Sequence, residues 1–287
     1  MRFARYRAGN GEGIAVADAG DDTWTALNEK DAGYLGSIET LIAAGGDWTA
    51  VAQAITRWGR RMDIAEAPLL PPLANPSKII CIGLNYGDHA RETGVAVPDY
   101  PTVFARFSSS LIGHGSPIIR PRASNQLDFE GELAAVIGRA GRDIAPDHAL
   151  DHVAGYSVFN DASVRDFQGR TSQWTMGKNF DATGAFGPSF VPASVLPPGC
   201  RGLRIRTILN GVVVQDANTT DMIFDVATLV STISQVMTLN VGDVIVTGTP
   251  CGVGAARTPP LWMKPGDVCE VEVEGIGLLR NPIIGQH

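Results

Sequence analysis

The feature that most constrains this chain is one run, Leu-Asp-Phe-Glu-Gly-Glu-Leu-Ala-Ala-Val-Ile-Gly, at positions 127–138. Its second half is continuously apolar, the pattern of a buried strand. Two carboxylates, Glu130 and Glu132, stand at its entrance one residue apart. In a strand, positions i and i+2 point to one face with Cα atoms roughly 6–7 Å apart. Like charges there repel and lose hydration together, so a positive group is expected between them. Protonation would relieve one acid and an arginine could pair with both. A hard cation with oxygen ligands is the simplest answer.

At 287 residues, 44% hydrophobic and 18% charged, the chain has ordinary globular composition and can bury a sizeable core. Its 33 glycines and 18 prolines imply many turns, as in a β-rich fold. The net charge of −7 comes with no basic block, which argues against a nucleic-acid partner. No apolar run approaches the ~20 residues that span a bilayer, and the N-terminus lacks the apolar core of a signal peptide. Cys81, Cys200, Cys251 and Cys269 are widely spaced, with no Cys-x-x-Cys pair. They could form disulfides; scattered reduced thiols in a cytoplasmic protein are the reading adopted.

Residues 1–30 alternate weakly, with turn signals at Gly9, Gly11, Gly13 and Gly20-Asp21-Asp22, and predict two or three short antiparallel strands. Ser37 opens a helical region that Gly45-Gly46-Asp47 divides in two, Asp47 capping the second helix. Arg57, Arg60 and Arg61 near that helix's end suit its dipole. Four prolines in residues 68–76 exclude helix and central strand and mark an extended connector. The division expected is therefore a small N-terminal α/β module (1–70), a proline-rich connector (71–76) and a larger domain (77–287). In the larger part, residues 78–83 read as a short strand and 84–94 as a helical turn ending at Gly94. Further strands are expected at 102–107, 117–119, 127–138, 153–160, 203–209, 212–215, 244–247 and 268–273. Asn210-Gly211 is a hairpin signal, and 224–239 is an amphipathic helix.

A second apolar strand runs into an acid at Asn160-Asp161-Ala162-Ser163-Val164-Arg165-Asp166-Phe167-Gln168. Together with Asp-Phe-Glu-Gly-Glu-Leu, Gly177-Lys178-Asn179-Phe180-Asp181 and Thr247-Gly248-Thr249-Pro250-x-Gly252-Val253-Gly254, it completes four motifs in a fixed order. The set resembles the fumarylacetoacetate hydrolase superfamily over roughly residues 77–284. Asn85-Tyr86-x-x-His89-x-x-Glu92 extends the likeness to its smaller, acylpyruvase-like members. The resemblance implies an α+β, β-rich fold, a mixed β-roll or barrel behind a variable N-terminal module, and a homodimer.

Carried over position by position, the resemblance assigns Glu130, Glu132 and Asp161 to a divalent metal. All-oxygen, anionic donors favour Mg²⁺ or Mn²⁺ over Zn²⁺. His89 and Glu92, three apart on a helix face, match the family's water-activating pair; alone, such a pair is an ordinary solvated one. Lys178 would stabilise an oxyanion, with Gln168 donating to the same oxygen and Thr249 touching the bound keto acid. The loop at 247–254 lacks the Gly-Lys-Ser/Thr ending of a phosphate-binding loop. Arg165 and Asp166 read as a buttressing pair beside the metal ligand. Arg106 departs from the family's commoner Lys-Pro; it could bind a substrate carboxylate or pair with an acid.

The chemistry implied is metal-dependent hydrolysis of a carbon–carbon bond in a β-diketone or diketo acid. Water activated by His89–Glu92 would attack a carbonyl, releasing a carboxylic acid and a smaller 2-keto acid. An oxaloacetate-type decarboxylase or isomerase would use the same enolate-stabilising site without needing water, and a non-catalytic metal-binding scaffold is the reading from another class.

Overall fold

The computed structural model describes residues 1–18, 23–63, 68–92 and 96–286. Strands β1 (Arg2–Ala8), β2 (Gly11–Ala17) and β3 (Trp24–Asn28) form the expected antiparallel meander. The turn read at 20–22 lies outside the described residues. Ser37 caps α1 (Ile38–Ala43) by accepting the Thr40 N–H, and Asp47 caps α2 (Trp48–Trp58) by accepting that of Ala50. Gly59, with extended backbone at ψ 172°, ends the second helix. Strand β4 (Arg60–Met62) follows at once and pairs with β3. Arg60 and Arg61 are therefore strand residues rather than dipole partners, and Arg60 bonds Asp31 at 2.6 Å. Just before the connector, in the proline-rich stretch 68–76, β5 (Leu69–Leu70) is extended and pairs with β1.

Strand β6 (Ile79–Gly83) leads into α3 (Gly87–Glu92), whose expected end at Gly94 lies outside the described residues. Strands β7 (Thr102–Arg106), β8 (Leu111–Ile112) and β9 (Ile118–Arg120) follow. The run at 127–138 is two strands rather than one, β10 (Leu127–Asp128) and β11 (Gly131–Ile137). Phe129 and Glu130 fall in the step between them, because Asn160 accepts the Glu130 N–H at 3.1 Å and draws the chain out of one straight strand. Glu130 and Glu132 are thus not positions i and i+2 of a single strand. Next come β12 (Val153–Asp161), β13 (Ser163–Val164), α4 (Arg165–Gln168) and α5 (Thr175–Lys178).

Strand β14 (Gly184–Pro192) precedes the hairpin β15 (Arg204–Leu209) and β16 (Val212–Asn218), which turns at Asn210-Gly211 as read. Helix α6 (Val226–Val236), capped by Asp225, is the expected amphipathic helix. Strands β17 (Val244–Val246), β18 (Val268–Val273) and β19 (Gly277–Gly285) complete the chain. The sequence reading passes over β14 and β19, whose glycines and prolines look like turns. All four cysteines are free thiols. Among the described residues, no helix is long and apolar enough to cross a membrane.

The strands make a strand-rich α+β fold with no closed barrel. A large open sheet runs β4-β3-β2-β1-β14-β12-β11-β17-β6-β7, with β5 on β1 and β8 on β14. A five-stranded sheet, β16-β15-β18-β19-β9, packs on one face with α6. Helices α1 and α2 pack on the other. The middle of the large sheet is therefore buried on both faces, and its residues divide by alternation. Leu133, Ala135 and Ile137 of β11 join the core under the small sheet, while Ala134 and Val136 join the core under the helices. That two-sided burial is the cause of the unbroken apolar run.

Trp48 ties the helices to the large sheet, its ring 4.9 Å from that of Phe3 and 4.7 Å from that of Phe190 in β14. Trp48→Ala leaves this aromatic stack without its centre. The expected loss is ~3–5 kcal/mol of unfolding free energy, read from urea denaturation.

Candidate active site

Pairing of β11 with β12 sets Gly131 opposite Asn160 and Glu132 opposite Phe159. The Asp161 N–H donates to the Glu130 carbonyl at 2.9 Å, so the ends of the two strands hold three acids together. Carboxylate oxygens of Glu130, Glu132 and Asp161 all lie within 4.8 Å of one another. Glu130 and Glu132 line a cavity of about 450 Å³ together with His89, Glu92, Arg165, Gln168, Lys178 and Thr249, while Asp161 is fully buried.

Lys178, at the end of α5, is only 1% exposed and is no solvated surface lysine. Its ammonium donates to Glu130 at 2.5 Å and to Asp161 at 2.6 Å. Burial alone would lower its pKa, but Asp161 and Glu130 hold it above the ordinary value, so it is charged. An ammonium has three donors, and two are used here, which leaves one for an oxygen in the cavity. Arg165 pairs with Glu130 at 2.7 Å and with Asp128 at 2.8 Å. Burial raises the Glu130 pKa, but Arg165 and Lys178 outweigh it and bring the carboxyl down to about 2.

Glu132 differs from its neighbours. It accepts the Gly248 N–H at 2.5 Å, while burial and then the charges of Asp161 and Glu130 push its pKa well above the carboxylate range. The glycine is required there. Its φ is +99°, and a Cβ would come within 2.7 Å of the Asn85 side chain. A buried carboxylate raised by two other carboxylates is the signature of a site that gains by a cation. The donors are all oxygen, so the set fits a hard divalent metal.

His89 on α3 is buried, and its Nδ1 lies 3.4 Å from Glu92 Oε2. Glu92 in turn accepts the Gly252 N–H at 3.0 Å on both oxygens, which ties α3 to the loop following β17. Gln168 Oε1 accepts from Arg165 at 2.8 Å, which leaves its amide N–H groups as donors to the cavity. The Thr249 hydroxyl donates to the Gly131 carbonyl at 3.0 Å and accepts from Gln215 at 2.9 Å. Its proton is committed, so a ligand could use that hydroxyl only as an acceptor.

Two readings are corrected. Arg106 does not line the cavity: it is 2% exposed, forms an ion pair with Asp161 and donates to the Ala162 carbonyl at 2.6 Å. The second of its two possible roles, pairing with an acid, is the one the fold realises. Arg165 and Asp166 do not buttress each other. Arg165 turns to Asp128 and Glu130, while Asp166 accepts the Ser124 hydroxyl at 2.6 Å.

Two residues of the site escaped the sequence reading. Asp128, fully buried, accepts the N–H groups of Gly254 at 2.7 Å and Ala255 at 2.9 Å as well as Arg165, so one carboxylate aligns the loop and the arginine. It stands in the same motif as Glu130 and was legible as a third acid there. Gln215 of β16 accepts from the Gly131 N–H at 3.0 Å and donates to Thr249 and to the Pro250 carbonyl. No motif surrounds it.

The family described as Fumarylacetoacetate (FAA) hydrolase C-terminal matches residues 78–284. A Xenopus laevis protein named as a mitochondrial oxaloacetate tautomerase is 45% identical over 219 residues, 75% of this chain and 68% of that one. The solved fumarylacetoacetate hydrolase of Exiguobacterium antarcticum covers 100% of both chains at 36% identity, with a TM-score of 0.85. A maleylpyruvate hydrolase of Sphingobium sp. SYK-6, solved with manganese(II) ion and pyruvate, covers 100% of both at 26% identity and a TM-score of 0.82.

Glu132→Gln keeps the shape of the acid triad and removes its least compensated charge. In metal-free buffer near pH 8 the variant should melt higher than wild type, because a carboxyl whose pKa is raised on folding costs stability as the pH rises past its unfolded value. Added Mn²⁺ should raise the wild-type melting point by several degrees, since a hundredfold excess over Kd is worth about 2.7 kcal/mol. The variant should lose that response. An equal Mn²⁺ shift in both proteins would exclude Glu132 as a ligand.

Proposed function

The chain belongs to the fumarylacetoacetate hydrolase family, and on that premise we propose that it is an oxaloacetate-type tautomerase, moving one proton between the enol oxygen and the neighbouring carbon of a 2-oxo acid. The observation that carries this reading is the 45% identity over 219 residues to a relative named as an oxaloacetate tautomerase. It favours the isomerisation that the sequence raised as an alternative over the hydrolysis first expected.

Glu130, Glu132 and Asp161 would hold Mg²⁺ or Mn²⁺, a cation that would supply the positive charge on which an enolate is cheaply formed. The chain's own residues do the remainder. Lys178 offers its third N–H to the oxygen that bears charge as the proton leaves. Gln168, turned by Arg165, donates an amide N–H to a substrate carboxylate. His89, oriented by Glu92, accepts the proton of the enol hydroxyl and returns it to C3 as the double bond's electron pair takes it up. No atom is gained or lost, and no water is consumed.

Hydrolysis of a diketo acid is the second reading, favoured by the likeness to the maleylpyruvate hydrolase over the whole chain. The same His89–Glu92 pair would then draw its proton from water.

Oxaloacetate supplied as its enol decides between them. With Mg²⁺, the enol absorbance should fall faster than in buffer with equimolar gain of the keto form and no added release of CO₂. His89→Ala should slow the reaction ~10²–10⁴-fold, and Lys178→Met ~10²–10³-fold. Cleavage of acylpyruvates with one solvent ¹⁸O in the released acid, and no effect on the enol, would give the site to hydrolysis.

A further inference from the structure

The cavity has two chemically different ends. Acids and their basic partners make up one, Phe104 and Trp174 mark the other, and Ile82, Leu84 and Val253 are further apolar residues of the lining. Phe104 joins the two ends. The Lys178 ammonium lies 5.0 Å from its ring centre, and Trp174 meets the same ring edge-on at 5.4 Å and 66°. The order along the wall is therefore acid triad, Lys178, Phe104, Trp174.

The indole is seated by a missing side chain. A Cβ at Gly83 would come within 2.3 Å of the Trp174 ring, so the ring packs directly on the end of β6 only because residue 83 is glycine. Leu84, next in the chain, has a φ of +57°, a left-handed conformation uncommon for a bulky residue. Such backbone persists where surrounding structure enforces it, often at ligand sites.

Lys178 is the cation that reaches this end, at the face of Phe104. The basic side chains lining the cavity are His89, Arg165 and Lys178. Each is engaged elsewhere: His89 with Glu92, Arg165 with Asp128 and Glu130, and Lys178 with Glu130 and Asp161. Among the described residues no further cation lines it. A cavity of about 450 Å³ is also within the roughly 300–1,000 Å³ typical of drug-sized ligands. A four-carbon diacid would leave two aromatic rings facing water.

We propose that the cavity accepts 2-oxo acids with an aromatic group on C3, the arylpyruvates, at least as well as oxaloacetate, the ring filling the Phe104–Trp174 end. The activity so assigned rests on the tautomerase reading; the binding does not. The step is unchanged and balanced. The enol oxygen loses its proton to His89, the electron pair of the double bond takes a proton at C3, and nothing is oxidised or reduced. Aryl conjugation lengthens the life of the enol and so gives an enzyme something to accelerate.

Enol-to-keto conversion of phenylpyruvate and of oxaloacetate is compared in Mg²⁺ buffer for wild type, Trp174→Ala, Trp174→Phe and Gly83→Ala, with circular dichroism as the folding control. Wild type should show a kcat/KM for phenylpyruvate equal to or above that for oxaloacetate. Trp174→Ala and Gly83→Ala should each turn the ratio against phenylpyruvate by roughly tenfold, the worth of a lost aromatic contact with its burial. Trp174→Phe should restore most of it. Oxaloacetate turnover with phenylpyruvate more than about tenfold poorer, or a ratio that none of the variants moves, overturns the proposal and leaves the tautomerase reading standing. If wild type isomerises neither acid, calorimetric titration with phenylpyruvate and Mn²⁺ decides. Binding that Trp174→Ala weakens upholds the ligand class while the tautomerase reading falls; no binding overturns both.

Discussion

The structure depends on the pairing of β11 with β12 inside a sheet that is covered on both faces. A strand with cores above and below it cannot turn an acid to water along its length, so its carboxylates must gather where it ends. Glu130 stands just before β11 and Asp161 is the last residue of β12, joined by a backbone hydrogen bond of 2.9 Å. The same backbone contact that completes the sheet thus fixes the spacing of the acids. Loop 247–254 is fastened to the same strand through Gly248 and Thr249. Sheet and site cannot be perturbed independently.

Charge is organised as a ladder around this point. Asp128, Arg165, Glu130, Lys178, Asp161 and Arg106 alternate in sign, each in contact with the next. Glu132 stands outside the alternation, so four carboxylates face three cations and one negative charge is in surplus. A divalent ion would turn that into a single positive charge, which one substrate carboxylate would cancel. Lys178 has a double place here. It neutralises two acids, and with its third donor it faces the cavity. Arg106 works from behind, away from the cavity, holding Asp161 in position.

Beyond the charges, the wall becomes apolar within the span of one phenyl ring, since Phe104 touches both Lys178 and Trp174. The reacting end is therefore set by electrostatics and the choice of substituent by shape. The two are separable because different residues carry them.

The sequence by itself determined the local chemistry. Caps at Ser37 and Asp47, the Asn210-Gly211 hairpin and the buried run of β11 all follow from side chains acting on their own backbone, which short-range pattern reports. The acid triad and Lys178 were legible because they stand in ordered motifs. Other features had no local signal. Strand β14 is fully buried yet carries Gly184, Gly187 and two prolines, and pairing with β1 and β12 overrides their turn character. Gln215 and Trp174 gain their roles only from partners that the fold brings near, Thr249 and Gly83. The step at Phe129–Glu130 and the choice of Arg106 between ligand and ion pair were decided by tertiary contacts with Asn160 and Asp161. A side chain's type is written in the sequence, but the partner that satisfies its charge or fills its space is chosen only when distant strands meet.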